Sequence, residues 1–246
     1  MFKIKMGLLL VLLALVVSCN FTEEIFLEEN GSGKISINFD GSELMQMGGD
    51  EMMAGTEKAI DSTLSFKQFL EEKKDSIAAL SPEQQAKLKK LEPFNLHMVM
   101  NPDTQEMKFD MYSSFENIDE IGDAFNTFQN MDALSPAGRA NQPQFLSNDT
   151  KSSEVSYSFK GNSFSRTAKI LNAQLHQQAV DSLAGAELFL TGSTYTLKYH
   201  FPKRVKSASA EEATFSADGK TLIYEVGFLE LMKNPKILNL EVELEQ

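Results

Sequence analysis

Ile25 and Leu27 alternate with polar neighbours, the stretch Asn30–Gly33 ("NGSG") interrupts, and Ile35, Ile37 and Phe39 then alternate again. A period of two places successive apolar side chains on one face of a strand, and a turn rich in Asn and Gly sends the chain back antiparallel. The spacing predicts a β-hairpin. The same device recurs in "FNLHMVMNPDTQEMKFDMYSSF", turning at Asn101–Thr104, and in "SEVSYSFKGNSFSRTAKI", turning at Gly161 and Asn162. Near the end, "STYTLKYHF", "EATFSADGKTLIYEV" with its "ADGK" turn, and "KILNLEVELE" predict further strands.

Helical spacing fills the intervals. From Ser65 to Leu80, Phe66, Phe69, Leu70, Ile77 and Leu80 share one face. In "SPEQQAKLKKL", Ser81 stands as N-cap, Pro82 takes the first helical position and Gln84 completes a capping box. Further helices are expected in "ENIDEIGDAFNTFQNM", in "NAQLHQQAVDSLAGAELFL" at least to Leu183, and in the short "GFLELMKN". A broken helix is expected in the Met-rich "SELMQMGGDEMMAG". About three hairpin–helix steps with a terminal antiparallel set predict an α+β fold: an antiparallel sheet built from hairpin–helix units, with helices packed on one face. The polar stretch 132–152, the longest loop, is the candidate boundary if the body divides in two.

The amino terminus carries a different signal. Lys3 and Lys5 precede an apolar run from Met6 to Val17, and Ser18 precedes Cys19, the single cysteine of the chain. A basic start, a short apolar core and a small residue before the cut form a secretory signal peptide. The run falls short of the roughly 20 apolar residues that a spanning helix needs. Residues 1–18 are therefore expected to be removed, 19–24 to form a short tether and 25–246 the body. Six residues of tether, at most about 20 Å extended, keep that body near the bilayer.

"VVSC" (Val16, Val17, Ser18, Cys19) resembles the lipobox of bacterial lipoproteins. The resemblance implies a Cys19 thiol that is diacylated and a cut between Ser18 and Cys19. Stable anchoring takes more than one acyl chain, which a lipoprotein cysteine supplies. With its thiol consumed, the mature chain has no disulfide, and its stability rests on its core. Loss of Lys3 and Lys5 takes the formal charge from −12 to −14. So acidic a chain repels nucleic-acid phosphates and anionic lipid headgroups alike.

Chemistry is harder to find. His97, His176 and His200 are scattered, without HExxH or paired-cysteine spacing, so no metal set is expected. "GNSFS" (Gly161–Ser165) begins like a nucleophile elbow but lacks the closing glycine and lies in a hairpin. "NGSGKIS" lacks the leading glycine of a phosphate loop, and Ile35 stands where a hydroxyl should follow Lys34. As a calcium loop, Glu28, Asn30, Ser32 and Gly33 fall near ligand positions, yet Phe39 replaces the bidentate Glu. Met45, Met47, Met52 and Met53 could offer thioethers to Cu(I), but no histidine or cysteine stands beside them, and methionine commonly fills apolar gaps. No catalytic residue and no cofactor is therefore expected.

Asn-x-Ser/Thr sites at Asn20, Asn30 and Asn148 carry little weight if the resemblance to bacterial lipoproteins holds. Triplets at Asp61, Asp75 and Asp181 resemble the Asp-Ser/Thr-aliphatic O-glycosylation sites of Bacteroidetes. With lipobox, "TEE" (Thr22–Glu24) and hairpin–helix body, the chain resembles Bacteroidetes lipoproteins of unknown function. In some of them an acidic cluster after the cysteine accompanies surface export. Asn20 does not resemble an inner-membrane retention signal, which implies the outer membrane, on its periplasmic side or at the cell surface. Tyr195–Phe228 resembles the end of LppM-type lipoprotein domains, implying a relation to lipid-binding modules with apolar ligands held between sheet and helices.

The expected function is that of a lipid-anchored, non-enzymatic binding or interaction module of the cell envelope. Its partner is a lipid or other apolar ligand, or an envelope protein. The alternatives are an envelope scaffold and a hydrolase built on carboxylates that lie far apart in sequence.

Overall fold

The computed structural model describes residues 20–43, 45–46, 59–122, 124, 127, 152–185 and 187–246. Strands come first. The leading hairpin is present as β1 (Asn20–Leu27) and β2 (Gly33–Asp40), paired antiparallel from Asn20 opposite Asp40 to Leu27 opposite Gly33. Strand β1 thus takes in residues 20–24, the stretch read as tether. Gly33 is required for packing: a Cβ there would lie 2.0 Å from the Phe26 carbonyl oxygen and 2.8 Å from the Phe115 ring.

Next comes β3 (Ile60–Ser65), which the sequence pattern did not predict. It merges into α1 (Phe66–Glu72), followed by α2 (Lys74–Ala78). The helix expected over Ser65–Leu80 is thus interrupted at Lys73, whose φ of −103° and ψ of 12° leave the helical range. Helix α3 (Pro82–Leu91) starts with the expected capping box. Then follow β4 (Asn95–Asn101) and β5 (Glu106–Phe115) as the second hairpin, and a short 3₁₀ turn at Ile118–Glu120. That turn lies inside the helix expected over residues 116–131, whose described start is thus 3₁₀ and then left-handed at Gly122 (φ 65°); most of the remainder lies outside the described residues.

The third hairpin is β6 (Ser153–Lys160) and β7 (Ser163–Ile170), followed by α4 (Ala173–Ser182) and α5 (Glu187–Leu190). The chain closes with β8 (Thr194–His200), β9 (Val205–Ala208), β10 (Thr214–Phe215), β11 (Thr221–Gly227), α6 (Phe228–Lys233), a 3₁₀ turn at Pro235–Leu238 and β12 (Leu240–Leu244).

These strands form two sheets. Eight run in the order β10-β11-β8-β1-β2-β5-β4-β3 and four in the order β6-β7-β12-β9. The expectation of an α+β fold with helices packed on one face of a sheet is thereby corrected: the protein is mostly β, with 44% strand and 30% helix among the described residues. The physical reason lies in β7 and β12. Phe164, Arg166 and Ala168 on β7, with Leu240, Val242 and Leu244 on β12, are all buried. They form a second sheet surface, and it covers the large sheet where helices were expected.

The interface follows from strand alternation. The large sheet presents Phe21, Glu23, Ile25 and Leu27 from β1, Ile35, Ile37 and Phe39 from β2, and Tyr195, Leu197 and Tyr199 from β8, all buried. The Phe164 ring meets Tyr199 edge-on at 5.3 Å and Phe201 at 5.4 Å. Phe21 stacks on Phe228 at 4.7 Å, tying α6 to the same core. The described residues on either side of 132–152 share this one hydrophobic core. Strand β1 lies inside the large sheet, antiparallel to β2 and parallel to β8.

Candidate functional site

Ser18 and Cys19, the expected cleavage and acylation residues, lie outside the described residues. The residue after Cys19 is Asn20, the first of β1. Among the described residues no helix is long and apolar enough to cross a membrane.

Two polar constellations flank β1. The inner one centres on Glu23, which is fully buried. Its Oε1 accepts from Tyr157 Oη (2.8 Å), Tyr199 Oη and Arg166 Nε (3.2 Å). Its Oε2 accepts from Tyr195 Oη (2.7 Å) and Arg166 Nη2 (3.1 Å). Arg166 Nη1 donates to the Leu238 carbonyl at 3.2 Å, and the guanidinium stands 6.0 Å from the centre of the Tyr157 ring. Burial works to raise the Glu23 carboxyl, but Arg166 and the Tyr199 and Tyr195 hydroxyls hold it below the usual carboxylate range. Burial, with Glu23 adjacent, pushes the Tyr195 and Tyr199 hydroxyls well above their usual range. The node is therefore an ionised pair among neutral phenols. Both carboxylate oxygens are saturated and closed from solvent, so its action is to join β1 and β8 of one sheet to β6 and β7 of the other.

Sequence reasoning placed Glu23 in an acidic export cluster. The folded body turns its carboxylate inward, and the neighbouring Glu24 alone faces out. The signal that could have revealed this was parity: Glu23 shares the alternation of Phe21, Ile25 and Leu27, so a strand beginning at Asn20 must bury it.

The outer constellation lies on the opposite face of the large sheet. Glu24 Oε1 pairs with Lys198 Nζ at 2.9 Å and with His200 Nε2 at 2.8 Å, and His200 Nδ1 meets Thr221 Oγ1 at 3.0 Å. The exposed Phe26 ring stacks on His200, with centroids 4.1 Å apart and planes 2° from parallel. Partial burial works to raise Glu24, but the hydrogen bonds from Lys198 and His200 lower it overall. Two strands away, across β2, β5 carries Asp110 on this face, opposite Asn38 on one side and His97 on the other. His97 Nε2 pairs with Asp61 Oδ1 at 2.9 Å. Asp110 Oδ1 is buried and has no hydrogen-bond partner among the described residues. Desolvation raises the Asp110 carboxyl and Glu24 adds to the rise, against the attraction of His97.

The remaining residues singled out in the sequence are dispersed. His176 Nε2, on α4, bonds the Lys233 carbonyl oxygen at 3.1 Å, whereas the other two histidines stand on β4 and β8. Among the described residues no group of three or more His, Cys, Asp or Glu could hold a metal ion. Gly161 turns the β6–β7 hairpin at φ 63°, and Phe164 of "GNSFS" is buried core. Asn30 Oδ1 accepts from Ser32 N at 3.1 Å, within the turn that imitated a calcium loop. Met45 is buried in the core, while Met47, Met52, Met53 and Asn148 lie outside the described residues. Asp61, Asp75 and Asp181 fall on β3, α2 and α4.

Comparison of the chain with family models, with curated proteins and with solved structures finds no match. The geometry alone therefore defines the class: a two-sheet β protein with a buried ionic node inside and an open polar sheet face outside.

Proposed function

We propose that the protein is a lipid-anchored lipoprotein of the outer membrane, held by acyl chains on Cys19, and that its body is a non-enzymatic binding module. Its partner engages the outer face of the eight-stranded sheet. The observation that supports this reading is the position of β1. It starts one residue after Cys19 and is bonded on both sides, so an acylated Cys19 fixes the whole sheet at the bilayer without slack. The outer face then offers Glu24, Lys198, His200 and the Phe26 ring to a partner. Asp110 offers an acceptor that a hydroxyl or amine donor would complete.

Binding on the face is preferred to an apolar ligand held inside. The space between the sheets is taken by the Phe164, Tyr199 and Phe201 rings and by the Glu23–Arg166 pair. Native mass spectrometry of the body from Asn20 to Gln246, purified from a bacterial host, is expected to give the bare chain mass. A stoichiometric lipid adduct would overturn the surface reading in favour of lipid handling. For the anchor, Cys19→Ala is expected to abolish acyl labelling and leave uncleaved precursor. Normal processing of that variant would exclude Cys19 as the acylated residue.

One observation favours the hydrolase alternative. Glu24 and Asp110 are carboxyl groups on the same face, with ionisation pushed in opposite directions, which is the arrangement an acid and a base require. They stand on strands two apart in the sheet, with β2 between them, which is why binding ranks first. Hydrolysis of a polysaccharide by the wild-type body, lost in both Glu24→Gln and Asp110→Asn, would reverse that order.

A further inference from the structure

Strand β3 is the outer edge of the eight-stranded sheet, and nothing among the described residues pairs with its far side. The other edges differ: β10 has two residues, β9 has four, and β6 has further partners at Ser153, Glu154, Val155 and Tyr157. Strand β3 is six residues long, pairs with β4 in unbroken register, and is exposed from Ile60 to Thr63. Natural edges are usually blunted by lysine, proline or a bulge, because unpaired backbone groups template another strand. "IDSTLS" has no lysine, proline or bulge, and its one charge, Asp61, is paired with His97 on its own sheet.

Phe66 N donates to Phe94 O at 3.2 Å, which makes that pair hydrogen-bonded. By alternation the even residues of β3 turn their backbone groups toward β4, and Asp61, Thr63 and Ser65 turn theirs outward. Side chains follow the same parity. Ile60, Ser62 and Leu64 share the inner face with Met100, Met98 and Leu96, while Asp61 and Thr63 share the outer face with Val99 and His97.

We propose that β3 is where a second copy of this chain docks, antiparallel, about a two-fold axis perpendicular to the sheet and passing between the two Ser62 residues. This register keeps like faces together and sets Ile60 opposite the partner's Leu64, so the exposed Ile60 side chain meets an apolar one. It sets Asp61 opposite the partner's Thr63, a carboxylate against a hydroxyl and an outward N–H. Sliding the strands by two residues the other way would oppose Asp61 to Asp61, which like-charge repulsion disfavours. The self-complementarity of "IDSTL" is what selects a copy of the same chain over an unrelated strand. The joined sheet has sixteen strands.

A pairing of five residues buries less than the roughly 1,200–2,000 Å² of a standard interface. It belongs to copies already concentrated in one membrane. The two-fold axis runs the two β1 strands in opposite directions, about 43 Å apart at the usual strand spacing. Both Cys19 anchors then reach a single bilayer only if the joined sheet lies along it.

The test uses the full chain in its bacterial membrane fraction. In the proposed register Ser62 meets the partner's Ser62 as a non-hydrogen-bonded pair with Cα atoms about 4.5 Å apart, within disulfide reach. The two Thr63 residues are about 8 Å apart, beyond it. Mild oxidation and non-reducing gels are expected to give a Ser62→Cys dimer at least tenfold above both Thr63→Cys and the wild type, whose Cys19 sets the background. Adding Thr63→Pro to Ser62→Cys removes an outward N–H without touching the β4 ladder, and is expected to abolish the dimer while protease resistance is kept. No dimer in Ser62→Cys, an equal dimer in Thr63→Cys, or a dimer that survives Thr63→Pro in a folded chain would each overturn the pairing. Fractionation of the same cells reports the anchor independently of the cross-link.

Discussion

Replacing Arg166 by Met puts the inner node to a quantitative test. Methionine keeps much of the arginine stem's volume and removes the guanidinium, leaving Glu23 buried with only phenol donors. Removing one partner of a buried ion pair costs about 3–5 kcal/mol, and a domain of this size loses roughly 2–4 °C per kcal/mol. At pH 7 the melting temperature is therefore expected to fall by about 6–20 °C. The pH dependence is diagnostic. In the wild type Glu23 is held below its unfolded value of 4.5, so its contribution is present above that pH and is lost as pH falls through the folded value. In Arg166→Met, desolvation without the cation raises the folded value above the unfolded one. Stability is then greatest below the unfolded value and falls as pH rises through the folded one. The gap between the two proteins should thus be widest at neutral pH and narrow below about pH 4.5. The chain has no tryptophan, so unfolding of the Asn20–Gln246 body in urea is best followed by far-ultraviolet circular dichroism. A loss under about 1 kcal/mol at pH 7, or a gap that does not shrink on acidification, would refute the assignment of Glu23 and Arg166 as the ionic bolt between the sheets.

Three further outcomes are expected. A body starting at Ile25 should lack a cooperative transition, because it loses the half of β1 that carries Phe21 and Glu23; a stable fold from Ile25 would restore residues 19–24 as a tether. Gly33→Ala should destabilise by about 1–3 kcal/mol in urea melts, since its Cβ meets the Phe26 carbonyl oxygen; a neutral effect would mean the β1–β2 hairpin relaxes freely. Asp110→Asn should raise stability at pH 7 and have a diminishing effect on acidification, because a carboxyl raised on folding costs stability as pH climbs through its folded value; a lower melting temperature at pH 7 would show that Asp110 makes a favourable contact.

The hairpins and the capping box at Ser81 were legible in the sequence because each depends on residues within a few positions of one another. Alternation over Ile25–Phe39 fixes both strands and their turn, and the Ser81-Pro82-Gln84 spacing starts α3, wherever the rest of the chain goes. The edge strand β3 escaped because an exposed strand has no reason to alternate. The division into two sheets escaped too, since it depends on which hairpin faces go together. Nothing near Asn20 announces that Thr194 will lie beside it, and β1 joins β8 parallel across more than 170 residues. The buried node needs that pairing as well as the second sheet: Glu23 finds Tyr195 and Tyr199 only once β8 is in register, and Arg166 only once β7 is laid over the face. Local chemistry sets the elements, among them the strand that begins one residue after Cys19. Burial shared among distant strands decides that one glutamate becomes the bolt of the core and its neighbour part of the open face.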